Sequence, residues 1–187
     1  MRLFLAINLP NDVRSAIAAA TAALRECVPE LGWVPEGKLH LTLKFLGEQP
    51  SERASDISAE IASVAGRHRE LNMSLEGIGA FPNFRRARVV WMGVEQDPRL
   101  ELLHHDVEMA CERLGFDVEG RPFRPHVTLA RVKHRLETER LRPFVRQAKR
   151  TDYTTDVVVQ SIDLMRSELS STGSAYTTLS SAALRSD

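Results

Sequence analysis

The sequence predicts a bilobal α+β fold, in which a duplicated unit builds two mainly antiparallel sheets that line a central cleft, with helices on the outside. Three observations predict it. Strand-like and helical apolar periodicities alternate along the chain. The order of these elements in the first half recurs in the second. A tetrapeptide of the form His, apolar, Thr, apolar occurs twice, beginning at His40 and at His126, nearly half the chain apart.

The predicted organisation is one domain made of two small lobes, which suits a chain of 187 residues. We expect the pseudo-symmetric lobes to comprise approximately residues 1–95 and 96–187, with exchange of strands between them allowed. An approximate two-fold axis would bring both tetrapeptides to equivalent positions facing one cleft.

Strands and helices alternate in the first half of the chain. We predict a buried strand, a helix, a strand, a helix and two strands, at about residues 2–9, 11–28, 39–46, 51–68, 71–79 and 88–95. Asn11 or Asp12 is the expected N-cap of the first helix, because both side chains can accept hydrogen bonds from its free N–H groups.

The second half begins with a helix that carries clear end signals. Asp97 and Pro98 are the residue types of an N-cap and a first helical position, and Gly115 closes the helix. Further elements follow: a strand at 125–133, a helix at 137–149 that Pro143 kinks or splits, and strands at 156–168 and 176–184.

Each tetrapeptide lies in a predicted strand, so its side chains alternate between two faces. In the first strand the alternation places His40, Thr42 and Lys44 on one face. Leu41, Leu43 and Phe45 then point the other way. In the second strand His126 and Thr128 share a face. Each strand is therefore expected to present an imidazole and a hydroxyl together.

Two imidazoles and two hydroxyls suit concerted acid–base chemistry on a phosphodiester. An unperturbed imidazole titrates near pH 6.5, so one can be protonated while the other is neutral. Each would contribute a rate factor of about 10²–10⁴. A threonine hydroxyl can donate a hydrogen bond to a phosphoryl oxygen and offset its charge.

A metal site is the competing interpretation of paired histidines. Structural and catalytic zinc sites take three or four His, Cys or carboxylate ligands. Neither tetrapeptide contains such a residue besides its histidine, and no HExxH or CxxC spacing occurs. We therefore expect no metal and no other cofactor.

Composition limits the class of partner. The chain has 25 basic and 25 acidic residues, which argues against coating long nucleic acid but allows a local basic pocket. No apolar run approaches the roughly 20 residues that cross a bilayer, so no membrane partner is expected. Cys27 and Cys111 fall on apolar helix sides, which favours buried thiols and a cytoplasmic protein.

The paired motifs resemble those that define the 2H phosphoesterases. The surrounding sequence is similar to the bacterial and archaeal RNA 2′,3′-cyclic phosphodiesterases, long called 2′-5′ RNA ligases. The matching stretches are residues 2–10 (RLFLAINLP), 39–47 (LHLTLKFLG), 77–82 (GIGAFP), 88–91 (RVVW) and 123–131 (FRPHVTLAR).

The resemblance implies hydrolysis of a 2′,3′-cyclic phosphate at an RNA end to a 2′-phosphate, with 2′-5′ ligation as the reverse reaction. It implies that His126 is the general base that activates water and that His40 is the general acid that protonates the leaving O3′. Thr42 and Thr128 would bind phosphoryl oxygens. The expected partner is RNA with such an end, tRNA fragments included, and the expected state is a monomer.

Arg131 follows the second motif and is a further candidate for phosphate binding. On a regular strand it would point away from His126 and Thr128, although a strand end or twist could restore it. Three aromatic residues are candidates to stack on a base or to pack in the core: Phe81, Phe84 and Tyr176.

Two rival functions remain open from the sequence. The first is a phosphodiesterase that acts on another small cyclic phosphate or nucleotide. The second is a non-catalytic module that binds RNA ends. The presence of both histidines and both threonines argues against the second.

Overall fold

The computed structural model describes residues 1–133, 137–170 and 173–186. Its strands are β1 (Arg2–Asn8), β2 (Gly32–Trp33), β3 (His40–Glu48), β4 (Leu71–Phe81), β5 (Val89–Val94), β6 (His126–Arg131), β7 (Thr154–Val159), β8 (Ser161–Ser170) and β9 (Gly173–Ala183). Its helices are α1 (Asn11–Ala20), α2 (Ala22–Cys27), α3 (Arg53–Ala65), α4 (Pro98–Arg113) and α5 (Thr138–Arg150). Short 3₁₀ turns occur at Glu36–Lys38 and Phe84–Arg86.

The strands within the described ranges form one antiparallel sheet in the order β7-β4-β5-β6-β3-β1-β8-β9, with β2 paired to β6. The α+β class is confirmed, but the expectation of two sheets is wrong. The reason is that the two motif strands pair with each other, since Leu41 of β3 lies opposite Val127 of β6. This pairing of β3 with β6 joins the two expected sheets into one strongly curled sheet.

Pairing mixes the two halves of the sequence. The N-terminal β1 pairs with β8, and β4 from the first half pairs with β7 from the second. Each side of the central β3–β6 pair therefore contains strands from both halves.

The main hydrophobic core lies between one face of the sheet and the helices. Leu41 and Val127 of the two motif strands are fully buried in it, together with Ile17 of α1, Leu103 of α4 and Phe144 of α5. The alternate residues of the motif strands point to the opposite face, which is left for the candidate site.

The helix expected at 11–28 is interrupted, because α1 ends at Ala20 and α2 begins at Ala22. Thr21, between them, is buried, and its hydroxyl donates to the carbonyl of Ile17 four residues earlier. Such back-bonding by threonine bends helices. The expected N-cap is also wrong, since Asn11 is already helical and follows Pro10 at the cap position.

The ends of α4 confirm the sequence prediction. The carboxylate of Asp97 accepts hydrogen bonds from the backbone N–H groups of Arg99 and Leu100, with Pro98 in the first turn. Gly115 adopts φ +85°, the left-handed conformation that terminates a helix.

Two predictions near the C-terminus need correction. The strand expected at 156–168 is two strands, β7 and β8, separated at Gln160. Of the two effects expected of Pro143, a split is excluded, since α5 is continuous from Thr138 to Arg150, while a kink stays a prediction. None of the helices in the described part of the chain is long and apolar enough to span a membrane.

Candidate active site

The two motif strands lie side by side at the centre of the sheet. They are antiparallel and Leu41 is opposite Val127, so the register places His40 opposite Thr128 and Thr42 opposite His126. All four side chains are partly exposed, while the leucine and valine between them are buried. The structure thus brings the four sequence-predicted residues to one face, as directly opposed cross-strand neighbours.

A β-bulge follows the first motif. Thr42 pairs with Ala6 of β1, but Lys44 pairs with Leu5, so Leu43 is an extra residue in β3. The alternation predicted for this strand therefore fails beyond Thr42. Lys44 turns into the core, and Phe45, predicted to lie inside, is 63% exposed.

A second bulge occurs at the equivalent position after the second motif. Thr128 pairs with Trp91 of β5, but Ala130 pairs with Val90, which makes Leu129 the extra residue. Leu129 and Ala130 are both buried, and Arg131 is exposed. The bulge shifts the alternation so that Arg131 points to the same face as His126 and Thr128.

Both imidazoles are held in the same way by the backbone two residues earlier. His40 Nδ1 lies 2.7 Å from the carbonyl oxygen of Lys38, and His126 Nδ1 lies 2.8 Å from that of Arg124. Because a carbonyl oxygen can only accept, each Nδ1 must carry the proton in that contact. The Nε2 atom of each ring is then the nitrogen that could accept or release a proton.

The Nε2 atom of His40 contacts a hydroxyl of its own motif. His40 Nε2 lies 3.1 Å from the hydroxyl of Thr42. With Nδ1 protonated, neutral Nε2 accepts this bond from the hydroxyl. The contact therefore couples the first imidazole directly to a candidate phosphate-binding group.

Burial is the largest cause that lowers the pKa of both imidazoles below the ordinary value for histidine. The positive charge of Arg131 lowers the pKa of both rings as well. His40 is also affected by Arg14 and by His126 when that ring is protonated. These effects oppose charging both rings together, which favours a state with at most one imidazolium.

The surroundings of the first imidazole are partly aromatic. Phe4 and Tyr176 lie with ring centroids 5.1 Å and 5.4 Å from His40. Tyr176 is one of the stacking candidates from the sequence, and it closes one side of the His40 ring edge-on. Phe4, Ala6 and Met165 are buried beneath it on this face of the sheet.

The second imidazole lies beside an aromatic wall. Phe81 stands edge-on to His126 at 5.0 Å, and Trp91 lies 6.5 Å from it. Phe81 and Trp91 contact each other at 5.1 Å. The third stacking candidate, Phe84, is instead packed against the core and contacts Phe144 of α5.

Two glycines make room for this wall. A Cβ atom on Gly79 would lie 2.2 Å from the indole of Trp91, and one on Gly93 would lie 3.3 Å from it and 2.7 Å from the carbonyl oxygen of Glu76. The indole can lie flat on the sheet only because both positions lack a side chain.

A buried ion pair connects the two motifs behind the sheet. The ammonium of Lys44, on β3, contacts both carboxylate oxygens of Glu108 on α4 at 2.8 and 2.9 Å. Lys44 also donates to the carbonyl of Asp117, and Glu108 accepts from the backbone N–H of Glu119. The loop that leads to His126 is therefore anchored to the strand that carries His40.

Sequence reasoning missed the polar residues beside the first motif. Asn8 lies opposite His40 in the β1–β3 register, and Arg14 and Lys38 line a cavity next to it. The polar Asn8 directly after five apolar residues was the available signal. Arg14 had none, since it lies on the polar side of an ordinary amphipathic helix.

In the portion of the chain that the structure describes, no three His, Cys, Asp or Glu side chains are grouped as a metal site. The donor set at the two motifs consists of two imidazoles and two hydroxyls. What this arrangement can do chemically is to move protons and to bind the oxygens of an anion.

Comparison with known proteins agrees with this site. A model of the 2′-5′ RNA ligase superfamily matches residues 10–170. An RNA 2′,3′-cyclic phosphodiesterase of Thermus thermophilus is 36% identical over 194 residues, which cover 100% of this chain and 92% of that protein. One from Geobacillus stearothermophilus is 34% identical over 128 residues, and these are 68% of this chain but only 41% of that longer protein.

Solved structures show the same fold. A crystal structure of a Thermus thermophilus protein has a TM-score of 0.78 and 32% identity, with 100% of both chains covered. Escherichia coli LigT complexed with 3′-AMP has a TM-score of 0.72 and 30% identity, with 98% of this chain and 97% of that chain covered.

A curled antiparallel sheet whose two central strands each present a histidine and a threonine to one face defines the 2H phosphoesterase class. Within that class, the chain belongs to the 2′-5′ RNA ligase superfamily. The resemblance found in the sequence is thereby confirmed.

Proposed function

We propose that this protein is an RNA 2′,3′-cyclic phosphodiesterase that opens a terminal cyclic phosphate to a 2′-phosphate by acid–base catalysis with two histidines. The observation that carries the proposal is the presentation of His40, Thr42, His126 and Thr128 on one face of the central strand pair. The names of its relatives supply the substrate class.

The proposed reaction moves one proton through each imidazole. His126 Nε2 removes a proton from water as the water oxygen attacks phosphorus. The bond from phosphorus to O3′ breaks, and His40 Nε2 gives its proton to that oxygen. The O2′ bond remains, so the product carries a 2′-phosphate and a 3′-hydroxyl, and each ring then exchanges its proton with solvent.

The threonines and Arg131 have supporting roles in this proposal. The hydroxyls of Thr42 and Thr128 would donate to the non-bridging phosphoryl oxygens, where negative charge grows in the transition state. Arg131 would offset the same charge from the rim of the site. Its position on the shared face, after the bulge at Leu129, supports that role.

The electrostatics of the site support a mechanism in which one histidine acts as the acid and the other as the base. Burial and Arg131 oppose the charging of either ring, and a charged His126 further opposes the charging of His40, so the active form would hold no more than one imidazolium. A bound phosphodiester anion would raise the pKa of both rings and stabilise that imidazolium. The same site with a 5′-hydroxyl in place of water would form a 2′-5′ linkage.

The proposed biological setting follows the sequence expectations. The substrate would be RNA with a 2′,3′-cyclic phosphate end, including fragments of tRNA, and the protein would act as a cytoplasmic monomer. Two other outcomes are tested with it: turnover of another small cyclic phosphate, and binding of RNA ends without turnover.

The decisive assay follows an oligonucleotide that ends in a 2′,3′-cyclic phosphate, with EDTA present and the product identified by phosphorus NMR. We expect a 2′-phosphate product, with activity lowered by a factor of about 10²–10⁴ in His126→Ala and retained in His105→Ala, which changes an exposed histidine on α4. A 3′-phosphate product, a requirement for added metal, or tight binding without turnover would each contradict the proposal.

A further inference from the structure

A cavity of about 370 Å³ adjoins His40 on the side away from His126. Its lining residues come from β1, α1, the loop before β3, β8 and β9. In the sheet order, β1, β8 and β9 lie on the side of β3 that is away from β6. It touches the catalytic ring closely. The carbonyl of Lys38 holds His40 Nδ1, and Tyr176 packs against the imidazole.

The described residues that line the cavity include two cations and no carboxylate. The cations are Arg14 and Lys38, and the polar side chains of Asn8 and Thr178 lie beside them. The ammonium of Lys38 donates a 2.5 Å hydrogen bond to the carbonyl of Ser174 on β9. The side chain of Lys38 therefore extends from the loop before β3 to the last strand.

Arg14 is held in place but is only partly neutralised. It donates to the carbonyl of Gly37 at 2.9 Å and to the side-chain oxygen of Asn8 at 3.4 Å, and its Nε has no partner among the described residues. Burial is the main cause that lowers the pKa of this guanidinium, and the charge of Asp163 acts in the opposite direction. A partly desolvated cation at a cavity favours an anionic ligand.

Asp163 is the acidic group that faces Arg14, and it is already engaged. It is buried, and it accepts hydrogen bonds from Asn8 at 2.8 Å, from Ser181 at 2.5 Å and from Ser161 at 3.1 Å. Asn8 hydrogen-bonds to both Asp163 and Arg14, so it lies between the carboxylate and the guanidinium. The cavity keeps a net positive lining.

The covalent structure of ribose indicates which anion reaches this cavity. In the proposed reaction O3′ leaves toward His40. O3′ is bonded to C3′, and C3′ leads through C4′ and C5′ to the 5′-phosphate. The base is attached at C1′, next to C2′, on the other side of the ring. With O3′ at His40, the 5′-phosphate therefore extends to the His40 side.

We propose that the cavity lined by Arg14 and Lys38 is a subsite for the phosphate on the 5′ side of the terminal nucleotide. This inference rests on the proposed function, and it assigns the direction in which RNA crosses the site. The enzyme would then distinguish an RNA end from a nucleoside cyclic phosphate that lacks this group.

The test compares adenosine 2′,3′-cyclic phosphate with the same compound carrying a 5′-phosphate. For the wild type we expect kcat/KM to be about tenfold or more higher with the 5′-phosphate, the order of one charge-assisted hydrogen bond. Arg14→Gln and Lys38→Gln should each reduce this ratio several-fold. The ratio cancels any general effect of Arg14 on the pKa of His40.

Arg113→Gln on α4 is the matched control, because its exposed guanidinium pairs with Glu60 away from the site, and its ratio should equal that of the wild type. If both compounds are hydrolysed with equal kcat/KM, or if both cavity variants keep the wild-type ratio, the subsite is refuted and the proposed function stands. If neither compound nor a longer RNA end is hydrolysed, the proposed function fails as well.

Discussion

The two motif strands share a backbone design but face different walls. Each places its histidine and threonine on the open side, fixes the imidazole on the carbonyl two residues earlier, and bulges one residue after the threonine. Beside His40 lies a polar, cationic cavity, and beside His126 an aromatic wall of Phe81 and Trp91. The shared part holds the two imidazoles in the same way, and the unshared part gives them different neighbours.

The position after each bulge shows the same divergence. In the first strand it holds Phe45, and in the second it holds Arg131. The duplicated geometry thus presents an exposed aromatic ring on one side and a cation on the other. The two imidazoles, held alike by the backbone, therefore have different neighbours on the open face.

Removal of either imidazole should have the largest effect. We expect His40→Ala and His126→Ala each to lower kcat by a factor of about 10²–10⁴, since each removes one proton-transfer step. The double variant should fall well short of the product of the two losses, because the pair acts as a unit. Steady-state kinetics in EDTA measure this, and multiplicative losses would show two independent roles.

Breaking the buried ion pair should destabilise both halves together. Lys44→Met leaves the Glu108 carboxylate buried without its cation, and we expect unfolding to become easier by about 3–5 kcal/mol in urea. The exposed pair of Arg113 and Glu60 is the control, and Arg113→Ala should cost no more than about 1 kcal/mol. Equal losses in the two variants would contradict the role given to Lys44.

A side chain added at Gly79, under the aromatic wall of Phe81 and Trp91, should disturb the packing beside His126 and leave the surroundings of His40 unchanged. Gly79→Ala places a Cβ in contact with the Trp91 indole, and we expect a loss of about 1–3 kcal/mol in stability with a change in tryptophan fluorescence. Gly120→Ala is the control, because no atom lies within 4 Å of the added Cβ. A Gly79→Ala protein as stable as the control would show that the indole does not need the glycine.

Removal of Arg131 should shift the pH dependence of kcat/KM as well as lower the rate. Its charge lowers the pKa of both imidazoles, so Arg131→Gln raises both values and should move both limbs of the kcat/KM profile to higher pH. The wild-type profile should be centred below about pH 6.5, since burial lowers both pKa values. Arg113→Gln should leave the profile in place, and a shift of Arg131→Gln to lower pH would be the wrong sign.

The sequence was sufficient to place the four motif side chains on one face, because that placement is local. His40 with Thr42, and His126 with Thr128, need only two residues of regular strand to share a face. The predicted orientations of Lys44 and Phe45 were wrong because of a bulge. A bulge depends on pairing with the neighbouring strand, so the alternation within one strand does not reveal it. For Arg131, alternation left the direction open for the same reason.

The predicted number of sheets was wrong, and the cavity was missed, for a different reason. Whether the motif strands pair with each other depends on a contact between Leu41 and Val127, which are distant in sequence. Arg14 lies on α1, and hydrogen bonds to the carbonyl of Gly37 and the side chain of Asn8 hold it beside the first motif. Such contacts across elements leave no periodic signal in the sequence.

The central claim is that His126 acts as the base and His40 as the acid, and the pH dependence of kcat/KM in the single variants tests it most directly. With a 2′,3′-cyclic phosphate substrate, residual activity of His126→Ala should lose the acid limb, because no base remains to be protonated. Residual activity of His40→Ala should lose the alkaline limb, because no acid remains to be deprotonated. Loss of the opposite limb in each variant, or retention of both limbs in either, would contradict the account.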